Sequence, residues 1–305
     1  MKLKIQILSL PEKSDILMKT TQHRILPSSM PIPSKIKKVS RFIQFISPRL
    51  VTKFSLKLFS TPIKFPLPER EKTMWKSAQK SRLKVTTINK EIDVLTYGYS
   101  SKKVLLVHGW CGRSTQLFMV ADKLLEKGYM VISFDAPAHG KSEGKTTLMP
   151  EFIEAIHAVN KEHGPFDAAV GHSLGGMSLY SAYADGFKTN KIVSVGSGDT
   201  ISEILLNFTN NLTLKSKITK KMKQHYDKKL GRDIDLNASS ETAKSVDIPA
   251  LVVHDSLDGD VAVSCAYSIR QNLQQGSILI TQGLGHTKIL RDKETMNRIV
   301  EFIIS

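Results

Sequence analysis

The sequence predicts an α/β protein: a mostly parallel central sheet, helices on both faces and a small helical lid. Three observations carry this expectation. From about residue 83, short apolar runs alternate with segments of helical period, the pattern of strand–helix–strand units. The runs are apolar throughout, as strands covered on both faces are. One polar, basic insertion at about 200–246 interrupts the alternation, and insertions of this kind commonly fold as helical lids.

Taken in order, residues 1–40 are rich in Pro, Ser and Lys without sustained periodicity, which predicts a loose arm. Between 40 and 60, Phe42, Ile43, Phe45, Ile46, Leu50, Val51 and Phe54 recur at near-helical spacing among Arg41, Arg49 and Lys53. Pro48 should kink or restart that helix. Thr61-Pro62 and Phe65-Pro66-Leu67-Pro68 then end regular structure. Residues 1–80 thus read as a basic extension with an amphipathic helix, and 81–305 as the α/β domain. Strands are expected at 84–89, 92–98, 103–107, 130–134, 166–170, 191–195, 250–253 and 277–281. Helices are expected at 115–127, capped by Gly128, and at 150–163 and 175–184.

Charge is unevenly placed. The net +16 comes mainly from residues 1–70, with fourteen basic against three acidic residues, and from 215–232, with eight against one. The rest is close to neutral, which argues against a nucleic-acid reader, whose charge should surround its functional surface. Cys111 and Cys265 offer no disulfide framework. No apolar run approaches the roughly 20 residues of a membrane span. The apolar stretch after Lys4 is shorter than the roughly seven residues a secretion signal needs. These features point to a cytoplasmic protein, and none of them sets an oligomeric state.

Gly171-His172-Ser173-Leu174-Gly175 lies between a strand and a helix. A serine hydroxyl needs exposure to a base and a rigid mount to act as a nucleophile. A sharp strand-to-helix turn provides the mount, provided the residues two before and two after are small, as Gly171 and Gly175 are. The helix N-terminus beyond Ser173 adds N–H groups for a developing anion. The pentapeptide alone is weak; its placement gives it weight.

With this motif stand His108-Gly109-Trp110 after a buried strand, and Asp135-Ala136-Pro137-Ala138-His139-Gly140-Lys141-Ser142 after the next. Together, over about residues 85–305, they resemble successive signatures of the α/β-hydrolase superfamily. The resemblance implies the chain order nucleophile, acid, base. Ser173 is then the nucleophile and His286, in Gly283-Leu284-Gly285-His286, the base. Asp255, Asp258 and Asp260 compete for the acid in one loop, with Asp258 at the family position, three residues before Val261. The backbone N–H groups of Trp110 and Leu174 would form the oxyanion hole.

The other histidines have plainer readings. His172 should point off the turn, His108 and His139 should be structural, and His254 should steady its loop. Gly140-Lys141-Ser142 and Gly144-Lys145-Thr146 lack the earlier glycine of a phosphate loop, since Asp135 and His139 hold that place. No Cys/His spacing suggests zinc.

The resemblance implies cleavage of a carboxylic ester or related acyl bond in a small-molecule substrate through acyl-Ser173, without a cofactor or metal. Two other readings stand beside it. The basic helix at 40–60 could dock a lipid hydrolase peripherally on an anionic membrane, against the preferred reading that its apolar face packs on the body. The chain could also be a non-catalytic binding protein on the same fold.

Overall fold

The computed structural model describes residues 25–29 and 31–305, so residues 1–24 of the arm expected over 1–40 lie outside the described residues. The helices are α1 (Ser34–Ile46), α2 (Pro48–Phe59), α3 (Lys72–Ser77), α4 (Phe118–Glu126), α5 (Met149–His163), α6 (Leu174–Ala184), α7 (Ile201–Asn211), α8 (Ser216–Leu230), α9 (Ser239–Ala243), α10 (Ser264–Asn272), α11 (Gly285–Lys288) and α12 (Lys293–Ile304). The strands are β1 (Gln79–Val85), β2 (Lys90–Tyr97), β3 (Lys103–Val107), β4 (Met130–Phe134), β5 (Ala168–His172), β6 (Ile192–Val195), β7 (Pro249–Asp255) and β8 (Gln275–Thr281).

The eight strands form one sheet in the order β1-β2-β4-β3-β5-β6-β7-β8. β1 and β2 pair antiparallel, β2 is antiparallel to β4, and every pairing from β4 to β8 is parallel. Successive residues of β3 serve two cores. Val104 and Leu106 join a cluster with Leu124 of α4 and Ile299 and Ile303 of α12. Leu105 and Val107 face Phe152 and Ile156 of α5 and Leu179 of α6. A strand buried on both sides needs an unbroken apolar run, and Val104–Val107 supplies it.

Several boundaries differ from expectation, those of β1 and β5 among them. β1 starts at Gln79 and ends at Val85 because it is an edge strand, largely exposed and polar, which period-two alternation does not reveal. β5 runs on through Gly171 and His172, while Phe166 makes only an isolated bridge to Thr189. The Gly128 cap is as read: at φ +77, its N–H reaches Leu125 O while that of Tyr129 reaches Leu124 O.

The chain moves from β3 outward to β4, then returns past β3 to β5 on its other side. This reversal opens a crevice at the carboxyl ends of β3 and β5, where ligands bind in open α/β sheets. Over it lies a cap built from two distant stretches of chain. Ser47 caps α2 by accepting from Leu50 N, with Pro48 as first helical residue, so the proline restarts the helix. Val51 of α2 is buried with Leu205 and Leu212 of the α7 region and Ile218, Met222 and Tyr226 of α8. The insertion is therefore only half of the cap.

Residues 25–29 and 31–40 are not the loose arm their composition implies. Leu26 N donates to Leu257 O at 3.0 Å, and Asp260 accepts from Ser28 Oγ at 2.5 Å and Ser29 N at 2.9 Å. Ile32 and Ile36 pack into the cap cluster. Their partners lie far along the chain, so local periodicity carries no trace of them.

Candidate active site

Ser173 sits between β5 and α6 at φ 51, ψ −118, a conformation costly for a residue with a side chain. Close packing holds it there. A Cβ on Gly171 would meet Gly176 N, and one on Gly175 would meet Val107 O and His108 O, so both positions exclude any larger residue. Ser173 N donates to Val195 O at 2.8 Å, tying the turn to β6.

The loop after β7 separates its three aspartates by role. Asp258 Oδ2 lies 2.7 Å from His286 Nδ1, and its Oδ1 accepts from Asp260 N and Val261 N at 2.8 and 3.0 Å. Asp255 accepts from Leu257 N, Thr281 Oγ1 and Leu284 N, bracing both loops. Asp260 holds Ser28 and Ser29. Asp258, Asp260 and His286 bring ligand atoms within 4.8 Å of one another, but these bonds already occupy all three.

Electrostatics follow from this pairing. Burial of His286 opposes its protonation, yet the hydrogen bond and charge of Asp258 outweigh it and raise the imidazole above its usual value of 6.5. Burial likewise opposes ionisation of Asp258, but the His286 contact and the two backbone donors hold its carboxyl below the ordinary range. Ser173 and His286 line one cavity of about 1010 Å³. Among the described residues, no hydrogen bond joins the Ser173 hydroxyl to the His286 imidazole, whose bonded nitrogen is Nδ1.

On the β3 side, the loop 108–112 is fastened by neutral histidines. His139 Nε2 accepts from Cys111 N at 3.0 Å, and His108 Nε2 accepts from Ala136 N at 3.0 Å. Burial pushes their pKa values down to about 3 and about 4, so each keeps the lone pair its role requires. Gly109 N donates to Gln116 Oε1 and Gly112 N to Gly109 O. Among the described residues, Trp110 N and Leu174 N have no acceptor, while N–H groups beside each are bonded. Cys111 is buried and its thiol is pushed up to about 11, chiefly by that burial.

Two contacts were not readable from the sequence. His172 does point off the turn, but its Nε2 lies 3.0 Å from His286 O and its ring centroid 4.8 Å from that of His286. Gln116 faces His172 Nδ1 at 3.3 Å while bonding Gly109 N. No motif signal marks either contact, since each joins loops far apart in sequence. His254 does steady its loop, with Nε2 3.0 Å from Val261 O.

The cavity reaches from Ser173 into the cap. Phe59 and Phe208 line it and pack edge to face at 5.1 Å. Met177, Ile204 and Ile36 of α1 also line it.

A family model described as the α/β hydrolase fold matches residues 102–212. No curated protein matches the sequence. Among solved structures, an esterase from Exiguobacterium antarcticum superposes with TM-score 0.58 at 16% identity, covering 74% of this chain and 100% of its own. A putative lipase from Acinetobacter baumannii gives 0.59 at 20% identity over 79% and 97%. The Pyrococcus furiosus esterase gives 0.62 at 17% over 80% and 97%. Each aligns nearly its whole length and leaves part of this chain unmatched.

Proposed function

We propose that this chain, an α/β-hydrolase by fold, is a serine hydrolase that cleaves a carboxylic ester or related acyl bond. The observation that carries the reading is the 2.7 Å contact between Asp258 and Nδ1 of His286, which lines the same cavity as Ser173.

In this mechanism Ser173 Oγ attacks the carbonyl carbon while its proton passes to His286 Nε2. Asp258 keeps the proton on Nδ1 and stabilises the imidazolium. The carbonyl oxygen becomes an anion that accepts from Trp110 N and Leu174 N, whose lack of internal acceptors suits them to the task. Collapse breaks the bond to the leaving oxygen, which takes the proton from His286. A water molecule then attacks acyl-Ser173 with His286 again as base, releasing the acid and free serine. The apolar walls around Phe59 and Phe208 suit an apolar acyl group. No step requires a metal or cofactor.

Wild-type protein should react covalently with a fluorophosphonate probe and Ser173→Ala should not. Labelling that survives the substitution would falsify the assignment of Ser173. If wild type neither labels nor turns over any p-nitrophenyl ester, the chain is a binding protein on this fold.

A further inference from the structure

We infer that the outer face of α1 is a docking surface for an anionic phospholipid bilayer. The inference goes beyond the hydrolase reading and does not depend on it. α1 turns Ile36, Ser40, Ile43 and Gln44 toward the cap and leaves Lys35, Lys38, Val39, Phe42, Phe45 and Ile46 outward. The outward set falls at i, i+3, i+4, i+7, i+10 and i+11, a continuous helical stripe. Phe45 is 91% exposed and Phe42 66%, with Leu50 of α2 extending the patch. Large aromatic side chains in this state, on a helix with one side already packed, mark an interaction face.

Charge selects the partner. α1 and α2 carry Lys35, Lys37, Lys38, Arg41, Arg49, Lys53 and Lys57, and no acidic residue occurs between Asp15 and Glu69. None of these seven cations forms an ion pair with a described residue. Lys215 N donates to Gln44 Oε1 at 2.7 Å, seating the start of α8 against the cap-facing side of α1. The exposed Lys217, Lys220 and Lys221 continue the basic field along that helix.

A second copy would set two such fields against each other. Residues 1–24 are themselves basic, with Lys2, Lys4, Lys13, Lys19 and Arg24 against Glu12 and Asp15, and do not complement the face either. A nucleic acid matches the charge but leaves Phe42, Phe45 and Ile46 in water. An anionic bilayer takes both: aromatic and aliphatic side chains enter below the headgroups, and Lys and Arg meet lipid phosphates. Among the described residues no helix is long and apolar enough to cross a membrane, so the contact is peripheral. Ile36 lines the cavity from the opposite side of the same helix, which leaves one helix, about 10 Å across, between bilayer and cavity.

The test is co-sedimentation of the full chain with phosphatidylcholine vesicles with and without phosphatidylglycerol. Wild type should pellet with the anionic vesicles only, and added salt should weaken binding. The doubles Phe42→Asp/Phe45→Asp and Lys38→Glu/Arg41→Glu should each lower partitioning by about tenfold or more, with circular-dichroism melting unchanged. Ser173→Ala should bind as wild type does, which separates this result from the fate of the hydrolase assignment. Wild type remaining in the supernatant overturns the inference, as does equal binding by both doubles. So does a dimer in light scattering that Phe45→Asp dissociates without vesicle binding, or duplex DNA binding that Phe45→Asp leaves intact while vesicles are ignored.

Discussion

The loops at the carboxyl edge of the sheet and the helices capping them are held by different forces. In the loops, buried directional bonds fix single atoms. Asp135 accepts from Ser114 N at 2.7 Å and Lys141 N at 2.8 Å, Asp255 braces two loops, and His139 holds Cys111 N. The cap is joined mostly by side chains such as Val51, Leu205, Ile218 and Met222. Apolar contact is non-directional and specifies a volume more than an atomic position. Under the proposed function, chemistry and substrate fit fall to separable parts, so substitutions in each should disturb different observables.

The largest effect belongs to the loop side. Asp258→Asn removes the charge that orients His286 and stabilises its protonated form. It should lower kcat by about a thousandfold to ten-thousandfold, with KM nearly unchanged, in steady-state ester assays. A loss below tenfold would remove Asp258 from the mechanism.

The same pair sets the pH profile. As the proposed base, His286 can act only when neutral, and Asp258 raises its pKa above 6.5 against the opposing effect of burial. The kcat/KM of wild type should therefore rise with pH through a midpoint above 6.5, the ordinary histidine value. In Asp258→Asn the raising influence is gone while burial, which lowers the pKa, remains. Its residual activity should show an acid limb moved to lower pH. A limb moved upward would mean that the midpoint reports another group.

On the cap side, Phe208→Ala removes one ring of the 5.1 Å pair with Phe59. Both rings are half-buried and line the cavity. The ratio of long-chain to short-chain ester turnover should fall about tenfold, with a stability loss of about 2–3 kcal/mol in urea unfolding. An unaltered ratio would mean that the acyl group does not lie against the cap.

The same division explains what the sequence disclosed. The β3 run and the Gly171–Gly175 turn are local patterns, recorded by apolar residues and glycines at fixed spacing. The order of Ser173, Asp258 and His286 rests on the family resemblance, and the structure pairs Asp258 with His286. Polar edge strand β1 and the contacts of His172 and Gln116 leave no such record. The cap leaves least. Ile43 and Phe42 are both apolar neighbours in one helical pattern, yet Ile43 packs inward and Phe42 lies out. What separates them is the position of α8, more than 150 residues along the chain.

The smallest effect tests the seam between the two regions. Asp260 borders the cavity and ties Ser28 and Ser29 to the loop that carries Asp258. It adds a minor charge contribution to the raised pKa of His286. Asp260→Asn removes the charge and keeps one acceptor oxygen, while the other becomes an NH2 donor, so one of the two bonds from Ser28 and Ser29 must rearrange. The acid limb should move down in the same direction as for Asp258→Asn but by less, and kcat should fall less than about tenfold, a change below about 1.4 kcal/mol in the barrier. Measured beside Asp258→Asn, a comparable loss would mean that the two aspartates share the acid's work, and that the N-terminal segment bonded to Asp260 belongs with the catalytic loops rather than the cap.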